Sequence, residues 1–215
     1  AIPPIDARRL EEVLPRLLGP DHALPEDWEP EATTYDLPRF YSEPEFVARF
    51  ARAVDDILSR DVREPAELRA LLAACGHPYD YARLGHPLST IYELYLQARS
   101  GAARAISFAS RSKPYLAVIE ARPPQRPVRL VSDGELLLSA EKRRALRQQG
   151  VELIEGHGGP LGPSEALTLY VTAGPFREGL LRPDADAVCC AVEGGGALLI
   201  RRPDVIDADR VQLIR

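Results

Sequence analysis

Apolar residues recur at helical spacing through the first half of the chain. Ile5, Leu10, Val13, Leu14, Leu17 and Leu18 fall near one face, with Asp6 placed to cap them, which predicts a helix over residues 5–18. Pro15 lies inside this stretch and should kink or shorten it. Residues 19–42 carry Pro20, Pro25, Pro30 and Pro38, too many for a helix. Their apolar beads, Leu24, Trp28, Tyr35, Leu37, Phe40 and Tyr41, describe an extended arm lying on a surface of its own domain or of a partner subunit. Ser42-Glu43-Pro44-Glu45 then reads as a helix start, with Ser as N-cap. The stripe Phe46, Val47, Phe50, Val54, Ile57 and Leu58 carries that helix to about residue 60. A second helix is expected over 64–75, stopped by Gly76, and a third over 90–99, capped by Ser89 and closed by Gly101.

After residue 103 the pattern changes to short apolar runs. Residues 105–109, 127–132, 151–155, 166–172, 187–192 and 197–201 read as strands, and 211–214 as a further one. Residues 139–149 are a charged helix ended by Gly150, and 115–121 are ambiguous between helix and strand. Strands alternating with helices predict an α/β fold: a helical N-terminal third, then a three-layer-like parallel or mixed sheet with flanking helices. The corresponding division is an N-terminal helix and acidic proline-rich arm (1–45), a helical segment (46–103) and a sheet domain (104–215). Residues 46–215 are expected to pack as one compact domain.

Charge sharpens this division. The 215 residues carry a net charge of −5, but residues 1–45 alone hold 11 acidic residues against 4 arginines. The remainder is slightly basic, so the arm is the first place to look for a partner. The balance argues against generic nucleic-acid binding, which needs a basic surface to displace counterions. No apolar run approaches the roughly 20 residues that span a bilayer. No signal-like series opens the chain. Cys75, Cys189 and Cys190 form no CxxC spacing, so a reducing cytoplasm is the expected setting. Of 27 basic residues only Lys113 and Lys142 are lysines, which limits any lysine chemistry to two positions.

Several short constellations could carry chemistry. Cys75, His77 and His86 match no common zinc spacing, and no metal site is expected. Ser110 and Lys113 fit S-x-x-K, but Pro114 follows at once and no partner motif appears. Gly156-His157-Gly158-Gly159 follows a predicted strand, where ligands gather in open α/β sheets and glycines let backbone N–H groups approach an anion. His157 is the titratable group there. Glu193-Gly194-Gly195-Gly196 is a hairpin turn or a close-approach loop, the hairpin being favoured by the tight flanking strands.

Residues 79–155 carry an order of features that resembles the large domain of fold type I pyridoxal-phosphate-dependent enzymes. Tyr79-Asp80-Tyr81-Ala82-Arg83-Leu84-Gly85-His86-Pro87 resembles that family's Y-x-Y-x-R-x-G-N-P stretch, with His86 in place of Asn. Ile106 to Ser112 resembles the strand-to-helix junction whose backbone N–H groups hold the cofactor phosphate. Residues 186–202 look more loosely like the segment bearing the Schiff-base lysine, but read Val192-Glu193 where that lysine belongs. The resemblance implies pyridoxal phosphate or another phosphate-bearing ligand held at Ser110, Arg111 and Ser112. The Gly158 and Gly159 turn is a second candidate contact. The resemblance also implies a shortened, lysine-less scaffold without the family's chemistry. The first expectation is therefore a non-catalytic binding or assembly protein, joined through residues 19–42 to another subunit or to a second copy of itself. The alternative is a small enzyme acting on a phosphate- or carboxylate-bearing molecule with His157 as acid/base. A third reading places a catalytic lysine at Lys113.

Overall fold

A computed structural model describes residues 5–19, 23–28, 43–79 and 85–215. The Ser42 cap, the arm beyond Trp28 and the centre of the Tyr79–Pro87 stretch lie outside these residues. The chain divides into two compact units, Ala1–Ala98 and Arg99–Arg215.

In the first unit, α1 (Ala7–Leu17) begins where Asp6 accepts the Arg8 N–H at 3.0 Å, and it ends two residues past Pro15. Helices α2 (Glu43–Ser59) and α3 (Pro65–Ala73) follow the predicted stripes. Leu10, Val13 and Leu17 of α1 pack with Phe46, Phe50, Val54 and Ile57 of α2 and with Leu68 and Leu72 of α3. Trp28 joins this core, its ring 6.1 Å from that of Phe46, and Ala23 is buried there too. Over residues 23–28, then, the surface the arm lies on is that of its own unit.

Helix α4 (Pro87–Ser100) starts earlier than the sequence suggested. Ser89 is not its N-cap. Ser89 Oγ accepts the His86 N–H at 2.9 Å and the same hydroxyl donates to His86 O, so Ser89 sits inside the first turn. Pro87 opens the helix, where its fixed φ and missing N–H cost nothing. Gly101 then takes a left-handed φ of 74° and ends it.

The second unit holds a six-stranded sheet. Its strands are β1 (Arg104–Phe108), β2 (Val128–Ser132), β3 (Val151–Ile154), β4 (Leu167–Pro175), β5 (Ala187–Val192) and β6 (Gly195–Ile200). The order across the sheet is β1-β6-β5-β4-β2-β3. The pairs β2–β3, β2–β4 and β4–β5 are parallel, while β6 runs antiparallel to both β5 and β1. Five strands therefore point one way and β6 opposes them. Near-continuous apolar runs such as Ala187–Val192 are what strands covered on both faces require.

The ambiguous stretch resolves as helix α5 (Lys113–Ala121). Strands β1 and β2 point the same way but lie at distant places in the sheet, so a crossover must join them, and Pro114 begins a helix well. Helix α6 (Ala140–Gln148) is capped by Ser139, whose side chain accepts the Lys142 N–H. The expected strand at 211–214 is instead part of helix α7 (Ala208–Ile214). Asp207 accepts the Arg210 N–H at 3.0 Å, and that cap outweighs the β-leaning composition of a run of only four residues.

Alternation along the strands separates the two faces. Ile106, Leu130, Leu169, Cys189 and Leu198 face a core shared with α5, α6 and α7. On the other face two of the intervening residues meet the β3–β4 and β4–β5 connections: Arg129 donates to Gly162 O at 2.8 Å, and the Arg182 guanidinium lies 4.3 Å over the Tyr170 ring. Among the described residues no helix is long and apolar enough to cross a membrane.

Candidate functional site

The carboxyl ends of β1, β2, β4 and β5 emerge on one side of the sheet, with the start of α5 above them. A crevice of about 90 Å³ opens there. Arg111 and Tyr115 line it from the β1–α5 junction, Ser132 from the end of β2, Leu136 and Leu137 from the loop after it, and Val171 to Ala173 from β4. This is the position at which open α/β sheets bind ligands.

The close approach at the β1–α5 turn depends on glycine. A Cβ on Gly195 would lie 1.9 Å from Phe108 O, and one on Gly196 would lie 2.8 Å from Ser110 O. The Glu193–Gly196 stretch is thus both things the sequence allowed. Glu193 and Gly194 make a two-residue turn between paired Val192 and Gly195, and the next two glycines let the β1–α5 turn rest on β6.

At that turn Ser110 Oγ accepts the Lys113 N–H at 3.2 Å, so Ser110 supplies the side-chain cap that Ser112 does not. Arg111 is exposed at the mouth of the crevice. Arg111 is the cation and Glu135 the carboxylate among the lining residues, and Arg111 stands where the partial positive charge of a helix N-terminus adds to its own. Ser132 is 1% exposed and its Oγ accepts the Gly134 N–H at 3.2 Å, leaving its own O–H free to orient. Asp133, next in sequence, accepts from Thr172 Oγ1 at 2.7 Å and from the Ala173 N–H at 2.8 Å, which ties β2 to β4 at the rim.

One wall is anchored with unusual thoroughness. Arg143 of α6 donates to Leu136 O at 2.8 Å and to Leu138 O at 3.1 Å, and it pairs with Glu155. The Glu155 carboxylate in turn accepts the Leu136 N–H at 2.7 Å. The Arg143 hydrogen bond and the Leu136 N–H hold the Glu155 carboxyl below the usual range.

The other predicted residues are elsewhere. The Ser110–Ser112 turn follows β1 and the Gly156–Gly159 turn follows β3, the two edge strands. His157 donates its backbone N–H to Ser132 O at 2.8 Å, but its ring Nε2 meets Pro160 O at 3.2 Å within its own loop. Gly159 O accepts from Arg182 at 2.7 Å, and Gly158 is exposed. Arg182 pairs with Asp184, whose carboxyl it holds well below the usual range, and Asp184 also accepts the Leu161 N–H. That loop is clasped rather than open to a ligand.

Neither lysine lines the crevice: Lys113 lies in the first turn of α5 and Lys142 is exposed on α6. The thiols are poor nucleophiles, because burial pushes Cys75 and Cys190 up to about 12 and Cys189 well above its ordinary value. His86, offered by the sequence as a metal ligand, bonds Trp28 O through Nε2 and accepts the Leu88 N–H on Nδ1. Among the described residues no three metal-ligating side chains converge.

The residues present do not fit pyridoxal phosphate. No lysine amine reaches the crevice, and its 90 Å³ falls well short of the about 300 Å³ of pockets that bury drug-sized ligands.

No family model and no curated protein sequence matches the chain. Among solved structures it is similar to cystathionine gamma synthase from Xanthomonas oryzae pv. oryzae in complex with cystathionine. That match has 17% identity and a TM-score of 0.44, and covers 63% of this chain and 47% of that one. It is likewise similar to metB from Corynebacterium glutamicum (14% identity, TM-score 0.43, 63% and 48% covered). A third match is cystathione gamma lyase (CalE6) from Micromonospora echinospora (16% identity, TM-score 0.43, 65% and 49% covered). The chain spans about half the length of these proteins.

Tyr115, Ser132, Thr172 and the Arg143–Glu155 pair were not singled out by sequence reasoning. Ser132-Asp133-Gly134 did carry a signal, since a turn pair directly after a predicted buried strand marks a carboxyl-end loop. The Arg143–Glu155 pair carried none, because the two residues lie 12 positions apart on different elements.

Proposed function

We propose that the chain is a non-catalytic binding protein whose 99–215 unit takes a phosphate- or carboxylate-bearing small molecule at the carboxyl-end crevice. The observation that carries this is the placement of Arg111, at the N-terminus of α5 and at the mouth of the crevice. The non-catalytic part of the reading is favoured by the place of the groups the sequence offered for catalysis: His157 and Lys113 lie outside the lining. The assembly role falls to residues 29–42, because Trp28 is already committed to its own unit's core.

Calorimetric titration of the full chain with inorganic phosphate tests the ligand reading. One site per chain is expected. Arg111→Ala should weaken it about 10- to 100-fold, the worth of a charge-assisted hydrogen bond of ~1.5–3 kcal/mol. Equal affinity in Arg111→Ala would remove the crevice from consideration.

A further inference from the structure

The loop between β2 and α6 forms the wall of the crevice opposite Tyr115, and it is not built as a lid. Lids move because few bonds hold them. Here Leu136 has both its backbone groups engaged, its N–H by Glu155 and its carbonyl by Arg143, and Leu138 O is held by Arg143 as well. Arg143 and Glu155, their side chains 16% and 28% exposed, pair with each other. One guanidinium and one carboxylate therefore fix three backbone groups in a span of three residues. From that pinned span Leu136 points inward, 2% exposed, and Leu137 stands 64% exposed at the rim. Tyr115 closes the other side, 1% exposed, with its hydroxyl 3.5 Å from Leu137 O.

We propose that the Arg143–Glu155 clamp sets the size limit of the crevice, so that it admits a bare oxyanion and excludes the same anion carrying an aromatic ring. Arg143 and Glu155 are positioning residues in this scheme. They touch the wall and leave the ligand to Arg111 and Ser132. The inference rests on the anion-binding reading above and adds to it a selectivity and its cause.

Titration of the full chain with inorganic phosphate and with phenyl phosphate tests it. The unaltered protein should bind phosphate and bind phenyl phosphate at least about tenfold more weakly. Glu155→Gln keeps the shape of the side chain and removes the ion pair, and Arg143→Ala removes two of the three anchors on the loop. Each should bring phenyl phosphate to within about threefold of phosphate, and amide exchange at Leu136 and Leu138 should accelerate. Leu137→Ala trims the rim at an exposed position and so keeps the test open should a clamp variant fail to fold. It should shift the same ratio without faster exchange. Phenyl phosphate binding the unaltered protein as tightly as phosphate would overturn the size limit alone. An unchanged ratio in Glu155→Gln despite faster loop exchange would overturn the clamp as its cause. No binding of either anion by any variant would overturn both this inference and the reading it rests on.

Discussion

Gly195→Ala should cost about 3 kcal/mol or more in urea denaturation, or leave no folded protein to denature. The added Cβ would lie 1.9 Å from Phe108 O, and 3.0 Å from the Phe108 carbonyl carbon. Both are backbone atoms, so no side chain can swing aside. Either β6 must leave the sheet or the β1–α5 turn must lift off it. Gly194→Ala is the informative control. Its Cβ would meet nothing within 4 Å, but the residue holds a left-handed φ of 74°. That conformation alone costs roughly 1–2 kcal/mol for a residue with a side chain. The two adjacent glycines thus separate steric from conformational cost. Should Gly195→Ala unfold within about 0.5 kcal/mol of the native midpoint, the β1–α5 turn cannot rest on β6 as described.

Trp28→Ala should destabilise the first unit by about 3–5 kcal/mol, the range for emptying a buried aromatic site. Trp28 is 2% exposed, stands against Phe46, and its carbonyl receives His86. Trp28→Phe should cost distinctly less. The indole N–H is buried without a hydrogen-bond partner among the described residues, so removing it relieves a desolvation cost while most of the packing remains. The measurement is chemical denaturation followed by far-UV circular dichroism. If Trp28→Ala were neutral, the tryptophan would belong to a partner's surface and not to this unit's core.

Legibility from sequence followed the range of the interactions. Helices with a clean stripe, such as Phe46 to Ile57, were readable because 3.6-residue spacing is local and burial enforces it. Buried strands were readable because runs such as Ala187–Val192 are too apolar and too short for much else. The misreading at 211–214 came from a run of four residues, where one Asp207 cap three or four positions upstream decides the outcome. At Ser89 the seryl cap and Pro87 competed for the same helix start, and local sequence does not rank them. The site was legible only in part. Arg111 lay in a strand-to-helix junction, which is a local pattern. Its neighbours in the crevice come from β2 and β4, and the strand order that assembles them is a property of the whole sheet.

The carboxyl-end crevice is proposed to bind an oxyanion at Arg111. A two-dimensional ¹H–¹⁵N spectrum of the full chain, recorded through a titration with inorganic phosphate, tests it residue by residue. Saturable shifts, fitting one site, are expected at the amides of Arg111, Ser112, Ser132 and Gly134. Saturable shifts centred on the Gly156–Gly159 turn instead, or no saturable shift at Arg111 and Ser132, would contradict it.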